Sequence, residues 1–381
     1  MAGADTSEGD GMTQRALPTT EKLLLGPGPS PVSDRVRQAM TAPLRSHLDP
    51  EFVLLLDDVR ASLTSLFKAP DGHFTFALSG TGTTGMDAAA VNLMERGMTT
   101  LCVVNGYFGD RLAQVLSLQG AFVERLEGEW GRAIDPAQVE LALRDGRFDA
   151  LAIVHGETST GVLNPVGAIA AMARKHDVLL IVDAVTSLGA VPVDVAGWGA
   201  DVCYSCSQKG IGAPSGLAPI TFSARARQQR NGRPDFALDV QKLEDFWMRR
   251  SYHHTISAPL IYALHAALAE VGAEGLDARW KRHQVTHEAL VTGLQRLDLE
   301  LLPPVGDRLV SLNAVSVPKG VDAAAVKNRL LTGHNIEIGA GLGPLAGRIW
   351  RIGLMGSGAT VDHVERVLTA LAEALGRSRS K

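Results

Sequence analysis

From Phe74 to Ser223 the chain switches repeatedly between short apolar runs and longer amphipathic stretches. That alternation reads as a mostly parallel sheet covered by helices, because each new parallel strand needs a crossover segment to bring the chain back. Seven runs read as strands: HFTFAL, TLCVVN, AFVERL, DALAIVH, VLLIVD, DVCYSC and APITFS. Between them the pattern predicts helices over about 83–96, 107–119, 135–145 and 165–176, the last opened by Pro165, a residue suited to a first helical turn. Open sheets of this kind bind ligands beyond the carboxyl ends of their strands, so function is to be sought just after each run.

After about Pro259 the texture changes. An Ala- and Leu-rich stretch to about Leu297, broken near Gly272 to Gly275, reads as helices leading into a second unit. Segments LVSLNAVSVP, Ala323–Leu331, IEIGAGLG, RIWRIGLMG and a final helix over 361–375 read as a smaller α+β domain. The 381 residues suit such a pair. The expected organisation is an N-terminal tail over 1–20, a large domain over 21–270 and a small domain over 271–381. No Pro/Gly/Ser-rich linker separates the two domains, so a packed interface is expected.

Charge and composition remove whole classes of function. With 37 Lys and Arg against 41 Asp and Glu, a net charge of -4 offers no basic field for nucleic acid. No apolar run approaches the ~18–20 residues of a membrane span. Residues 1–20 carry acids and no apolar stretch, unlike a secretory or transit peptide, and the expected compartment is the cytoplasm. Three cysteines, Cys102, Cys203 and Cys206, are too few for a disulfide framework.

Four features then follow one another at strand ends. Ser79-Gly80-Thr81-Gly82-Thr83-Thr84-Gly85 joins a strand to a helix; its glycines, hydroxyls and free N–H groups suit a phosphate, although a plain turn uses the same residues. Asp183 ends VLLIVD, where a buried carboxylate is costly unless paired; the local alternative is a turn cap through Thr186 or Ser187. Lys209 follows an apolar strand and precedes a Gly-rich loop, a place where a solvated lysine is the plain alternative. Arg351, in RIWRIGLMG, offers two parallel N–H bonds to a carboxylate, or simply pairs with a surface acid. The 26 positions from Asp183 to Lys209 match an arrangement known from pyridoxal-phosphate enzymes, in which the lysine forms a Schiff base with the cofactor and the aspartate pairs with the ring nitrogen.

With these residues in view, the chain resembles the class V aminotransferases of fold type I, most closely the alanine–glyoxylate and serine–pyruvate group. The motifs that carry the resemblance run in order from LLLGPGPSPV through HGETSTGV, DAVTSLGA, SCSQKGIGAPSGL and YHHTI to IEIGAGLGPLAGRIWRIGLMG. The resemblance implies a mostly parallel seven-stranded sheet in the large domain and pyridoxal 5'-phosphate as cofactor. It implies Lys209 as the Schiff-base lysine and Asp183 as partner of the pyridine nitrogen. Thr81, Gly82, Thr83 and Gln208 would hold the phosphate, and Thr158 the ring hydroxyl. Phe108 takes the place of a tryptophan stacked on the ring. Tyr252 and Thr255 would reach the phosphate of a neighbouring subunit, which implies a homodimer. Arg351, helped by the backbone near Gly26, would hold the substrate carboxylate.

The expected reaction moves the amino group of alanine or serine to a small 2-oxo acid, glyoxylate or pyruvate. A sister group acting on (S)-ureidoglycine shares GEWG, APSGLAPIT and GPLAGRIWRIG with this chain, but places amides where His47 and Tyr252 stand here. A cysteine desulfurase shares the fold and needs a mobile nucleophilic cysteine. Cys203 and Cys206 lie instead in the apolar run before Lys209, with no second pair at metal spacing. No metal is expected. His253 and His254, read as strand neighbours, should face opposite ways.

Overall fold

A computed structural model describes residues 16–228 and 235–377; most of the expected N-terminal tail lies outside the described residues. All seven apolar runs are strands of one sheet. Its order is Phe74–Gly80, Gly216–Phe222, Val202–Tyr204, Leu179–Asp183, Ala150–Val154, Thr99–Val104 and Phe122–Glu127. Gly216–Phe222 runs antiparallel to both neighbours, and every other adjacent pair is parallel. The parallel strands therefore end along a common edge. Register sets Val154 beside Asp183 and Asp183 beside Tyr204 at that edge.

Crossover helices occupy the expected intervals: Gly82–Leu93, Tyr107–Leu118, Pro136–Asp145 and Val166–Lys175. Pro165 is the residue before the last of these rather than its first turn. Helix Pro50–Phe67 lies where the periodicity reading assigned no element. Asp49 caps it by accepting from Glu51 N at 2.8 Å, Pro50 opens it, and Phe52, Leu56, Val59, Leu63 and Phe67 recur at helical spacing into the core. Its company in that core includes Phe76, Phe222 and Trp247, all buried.

The second unit has its own apolar cluster, with Leu290, Leu294, Trp350, Ile352 and Leu368. A three-stranded antiparallel sheet places Ile349–Gly353 between Leu312–Ser316 and Gly339–Ala340. Helix Ala323–Gly333 lies against Gly339–Ala340 and Ile349–Gly353, and helices Leu276–Gln295 and Val361–Leu375 pack together in the same apolar cluster. Leu23 and Leu25 come from the N-terminal side yet pack in this second cluster, and Leu23–Leu24 pairs in parallel with Ile336–Glu337. The following segment, Gly26 to Ser30, then passes back over the Lys209 turn, where Ser30 N donates to Gln208 O at 2.8 Å and Ser30 Oγ to Lys209 O at 2.9 Å. One strap thus ties the two clusters together across the edge of the large sheet. Among the described residues no helix is long and apolar enough to cross a membrane.

Candidate active site

Three loops at the carboxyl edge meet around Lys209. Its strand ends at Tyr204, and the turn that follows is closed by Ala213 N donating to Ser207 O at 2.9 Å and Gly212 N to Lys209 O at 3.0 Å. The side chain points inward, only 8% exposed, and Nζ donates to Thr186 Oγ1 at 3.2 Å. Gly28 lies directly against it: a Cβ there would come within 3.0 Å of Lys209 Cε, and the residue's φ of +109 favours glycine in any case. A solvated lysine is excluded by this burial. Desolvation lowers the amine's pKa from 10.5, with Cys206 and Asp183 opposing, so the neutral, nucleophilic form gains weight.

Asp183 is 3% exposed at the end of its strand, and its Oδ1 accepts from Val185 N at 2.8 Å. The local cap expected through Thr186 or Ser187 therefore runs through Val185. That bond and the nearby Tyr204 hydroxyl pull the carboxyl down, but burial outweighs them and lifts it from 3.8 to about 6. A carboxylate in this condition lacks a cation. Tyr204 Oη is itself buried with no hydrogen-bond partner in good geometry.

The Gly-rich turn forms the next wall. Thr81 precedes helix Gly82–Leu93, and Thr81 N donates to Thr84 Oγ1 at 3.1 Å. A Cβ on Gly82 would lie 2.7 Å from Val185 Cγ2, so glycine is required for the turn to reach the Asp183 loop. The first-turn N–H groups point away from the helix at its positive end. Arg111 Nη1 donates to Thr83 Oγ1 at 3.3 Å and adds positive charge beside them. Gln208 adds a buried Oε1 that has no partner.

Phe108 and Thr158 complete the inner surface. The Phe108 ring centroid stands 5.7 Å from Lys209 Nζ. Thr158, 2% exposed, has its Oγ1 in close contact with Thr186 Oγ1, and Thr158 O accepts from Arg351 Nη1 at 3.4 Å. Arg351 is 6% exposed, and its Nε donates to Ala340 O at 2.7 Å. It forms no ion pair among the described residues, so the surface-pair alternative fails. Desolvation lowers its pKa from 12.5 to about 10. Gly26 lies at the same wall: its carbonyl oxygen would sit 2.1 Å from a Cβ on Gly353, two residues after Arg351.

Two expected residues stand apart. Tyr252 is 65% exposed, touching His47 with ring centroids 5.4 Å apart, and Thr255 is exposed. Neither is hydrogen-bonded to the Lys209 cluster. The segment that holds them is not a strand, which corrects the reading of the two histidines: His253 Nδ1 and His254 Nδ1 meet at 2.8 Å. His254 Nε2 also lies 3.2 Å from Ser79 Oγ. Strand Val202–Tyr204 includes Cys203 but stops two residues before Cys206; both thiols are buried, and burial pushes the Cys206 thiol up to about 11.

Glu157, Tyr204 and Ser30 belong to the cluster although the sequence reading gives them no role, and Thr186, read there only as a turn cap for Asp183, holds Lys209 Nζ instead. For Glu157 the signal was present, a charged residue between an apolar strand and a turn of small hydroxyl residues.

The family model for aminotransferase class-V matches residues 30–348. The chain is 37% identical to an alanine–glyoxylate aminotransferase of Drosophila melanogaster, over 96% of this chain and 95% of that one. The chain belongs to the class-V aminotransferases. Among solved structures, an alanine–glyoxylate aminotransferase from Nostoc sp. aligns with a TM-score of 0.93 and 41% identity, over 96% of this chain and 98% of that one. The ureidoglycine–glyoxylate aminotransferase of Bacillus subtilis aligns with a TM-score of 0.92 and 34% identity, over 96% of each. The fold is thus fold type I, and the cofactor of this class-V aminotransferase is pyridoxal phosphate. The residues present fit that cofactor: a buried amine, a buried carboxylate short of a cation, an aromatic face, and a glycine-opened helix N-terminus with Arg111 at its Thr83.

Proposed function

We propose that this aminotransferase takes the amino group of L-alanine or L-serine and delivers it to glyoxylate or pyruvate. The observation that carries the reading is the convergence of Lys209, Asp183 and an Arg351 without an acidic partner on one buried surface. Such a surface accepts a compact amino or oxo acid with one carboxylate.

Pyridoxal phosphate, once bound, supplies an electrophilic carbon for the amine and a ring that withdraws electrons from the substrate Cα. Lys209 would hold the cofactor through Nζ, and its amine, made more readily neutral by burial, would carry the proton to and from the substrate Cα as base and then acid. Asp183 keeps a proton on the ring nitrogen by placing a negative charge against it. Phe108 would offer its aromatic face to the cofactor ring, and Thr158 its hydroxyl to the ring hydroxyl. Thr81, Gly82, Thr83 and Gln208 bind the phosphate. Arg351 binds the substrate carboxylate, assisted by the Gly26 backbone, and so turns Cα towards Lys209. Burial of this wall excludes water, which strengthens each of these contacts.

Tyr252 and Thr255 complete the phosphate site of a second copy in a homodimer. Their exposure supports this reading, as do the exposed apolar side chains Leu44 and Leu48, in the segment of His47, which touches Tyr252. The division into a large domain over 21–270 and a small one over 271–381, and a cytoplasmic location, are part of the same proposal.

Arg351→Ala will raise the KM for alanine and for glyoxylate about 100-fold while leaving cofactor binding intact, since a charge-assisted bidentate pair supplies roughly 1.5–3 kcal/mol. Arg351→Lys will recover only part of this, lacking the planar fork. Steady-state kinetics with both substrates provides the check, and an unchanged KM would remove Arg351 from its role.

The 34% identity to the Bacillus subtilis ureidoglycine enzyme keeps a second substrate in view. His47 and Tyr252 offer rings where that reading calls for amides. A donor-by-acceptor activity matrix on the loaded enzyme separates the two: alanine or serine should turn over at least tenfold faster than ureidoglycine, about 1.4 kcal/mol in the barrier. The reverse ranking would replace the proposed donor.

A further inference from the structure

Glu157 is the one fully buried carboxylate of the site that the proposed chemistry leaves without a task. It lies in the short hairpin Gly156–Glu157 and Val162–Leu163, directly after the strand that ends at Val154. Its Oε2 accepts from Phe108 N at 3.1 Å and Gly109 N at 3.0 Å. Its Oε1 accepts from Ser159 N at 3.0 Å and Ser159 Oγ at 2.6 Å. Ser159 Oγ in turn accepts from Tyr107 N at 2.9 Å. The first three N–H groups of helix Tyr107–Leu118, which have no partner inside the helix, are therefore all tied to this carboxylate or to the serine it holds.

The packing around it is close. A Cβ on Gly106 would come within 2.3 Å of Glu157 Cγ, so the glycine before the helix exists to let the carboxylate in. The two segments it joins carry the two walls of the cluster. One bears the Phe108 ring above Lys209; the other is Thr158, whose carbonyl meets Arg351.

We propose that Glu157 is a positioning residue: its carboxylate locks the Phe108 ring and the Thr158 turn into the geometry that receives the cofactor ring. Burial pushes the carboxyl up, while four donated bonds pull it down. Its negative charge also favours the protonated forms of Lys209 and Arg351. A glutamine has the same shape but replaces one acceptor oxygen with an NH2 group. Whichever way it is turned, two N–H or O–H donors then face a donor and lose their partner.

The inference rests on Lys209 being the residue that bears pyridoxal phosphate. The experiment compares wild type with Glu157→Gln, measuring apo-protein melting, pyridoxal phosphate affinity by equilibrium dialysis, and the pH midpoint of the visible absorbance of the loaded protein. The expected result is a folded variant that binds the cofactor about tenfold more weakly, the size of losing one charge-assisted bond, with the absorbance midpoint moved to lower pH because a neighbouring negative charge is gone. A role in stability alone would lower the melting temperature and leave affinity and midpoint where they are in wild type; that result overturns the proposal. If Glu157→Gln does not fold, Ser159→Ala serves. It removes the hydroxyl between Glu157 and Tyr107 and should weaken cofactor binding in the same direction, and an unchanged affinity would overturn the proposal equally. Wild type failing to take up pyridoxal phosphate would count against the Lys209 reading instead, so the two failures are distinct.

Discussion

Lys209→Ala will fold, take up little cofactor and lose transamination by about 10,000-fold or more, the contribution expected when the covalent tether and the proton carrier are removed together. Its folding is expected because the lysine makes one side-chain hydrogen bond, to Thr186 Oγ1, and contributes no ion pair to the core among the described residues. The turn around it is held by backbone bonds through Ser207, Ala213 and Ser30, none of which needs the amine. The cavity left by the truncated side chain lies at the site wall rather than in the main cluster, so the loss of stability should stay small. Addition of a small primary amine to the assay should restore a fraction of the proton transfer, because what is missing is a base of the right size in the right place. Retention of wild-type turnover by this variant would remove Lys209 from the chemistry.

Asp183→Asn will produce two effects of opposite sign. Activity should fall by about 100-fold or more, since an uncharged amide cannot hold the proton on the ring nitrogen and the electrostatic stabilisation of the reacting centre is lost. The cofactor-free protein, in contrast, should become more stable above pH 6. The sign follows from proton linkage. Burial raises the folded pKa of Asp183 from 3.8 to about 6, so the native chain binds more protons than the unfolded chain between those values. Stability from this group is present below pH 3.8 and is lost as the pH rises through 6, leaving the full cost of a buried charge above it. A gap of roughly two pH units corresponds to about 3 kcal/mol at 1.36 kcal/mol per unit, an upper bound on the gain since asparagine must also be buried. Melting curves of the cofactor-free proteins between pH 4 and 8 give the test. Wild type should lose stability across that window more steeply than the variant, and loading wild type with pyridoxal phosphate should abolish the difference by supplying the missing cation. Equal slopes for the two apo proteins would mean that Asp183 is already compensated without the cofactor.

The reason so much of this fold is legible in the sequence is that parallel strands buried on both faces read as unbroken apolar runs. VLLIVD and DALAIVH announce both their existence and their ends, and the polar residue that stops each run falls at the edge where ligands bind. The one antiparallel strand of the large sheet, Gly216–Phe222, is invisible as such, because an apolar run does not reveal its direction. Helix Pro50–Phe67 has a capping aspartate and an opening proline, but the consecutive Leu54, Leu55 and Leu56 blur its helical period in the sequence. Leu23 and Leu25 joined the second cluster through pairing with residues more than 300 positions away, and no local pattern encodes such a partner.

The site divides along the same line. Asp183, Lys209 and the Gly-rich turn are visible because each violates the pattern of its own segment: a charge ending an apolar strand, or glycines where a helix begins. Thr186 and Glu157 are different. A threonine in DAVTSLGA is unremarkable until Lys209 arrives from 23 residues further on, and Glu157 acquires its meaning only when the start of helix Tyr107–Leu118, about 50 residues earlier, closes over it. The two adjacent histidines are a related case. Strand geometry would point His253 and His254 apart, but Ser251 to Ser257 is irregular and lets their rings meet.

The most direct measurement is chemical. Wild-type protein loaded with pyridoxal phosphate, reduced with borohydride, digested and mapped by mass spectrometry should carry a pyridoxyl group on the peptide containing Lys209. A pyridoxyl group on any other lysine, or none on any, would contradict the account.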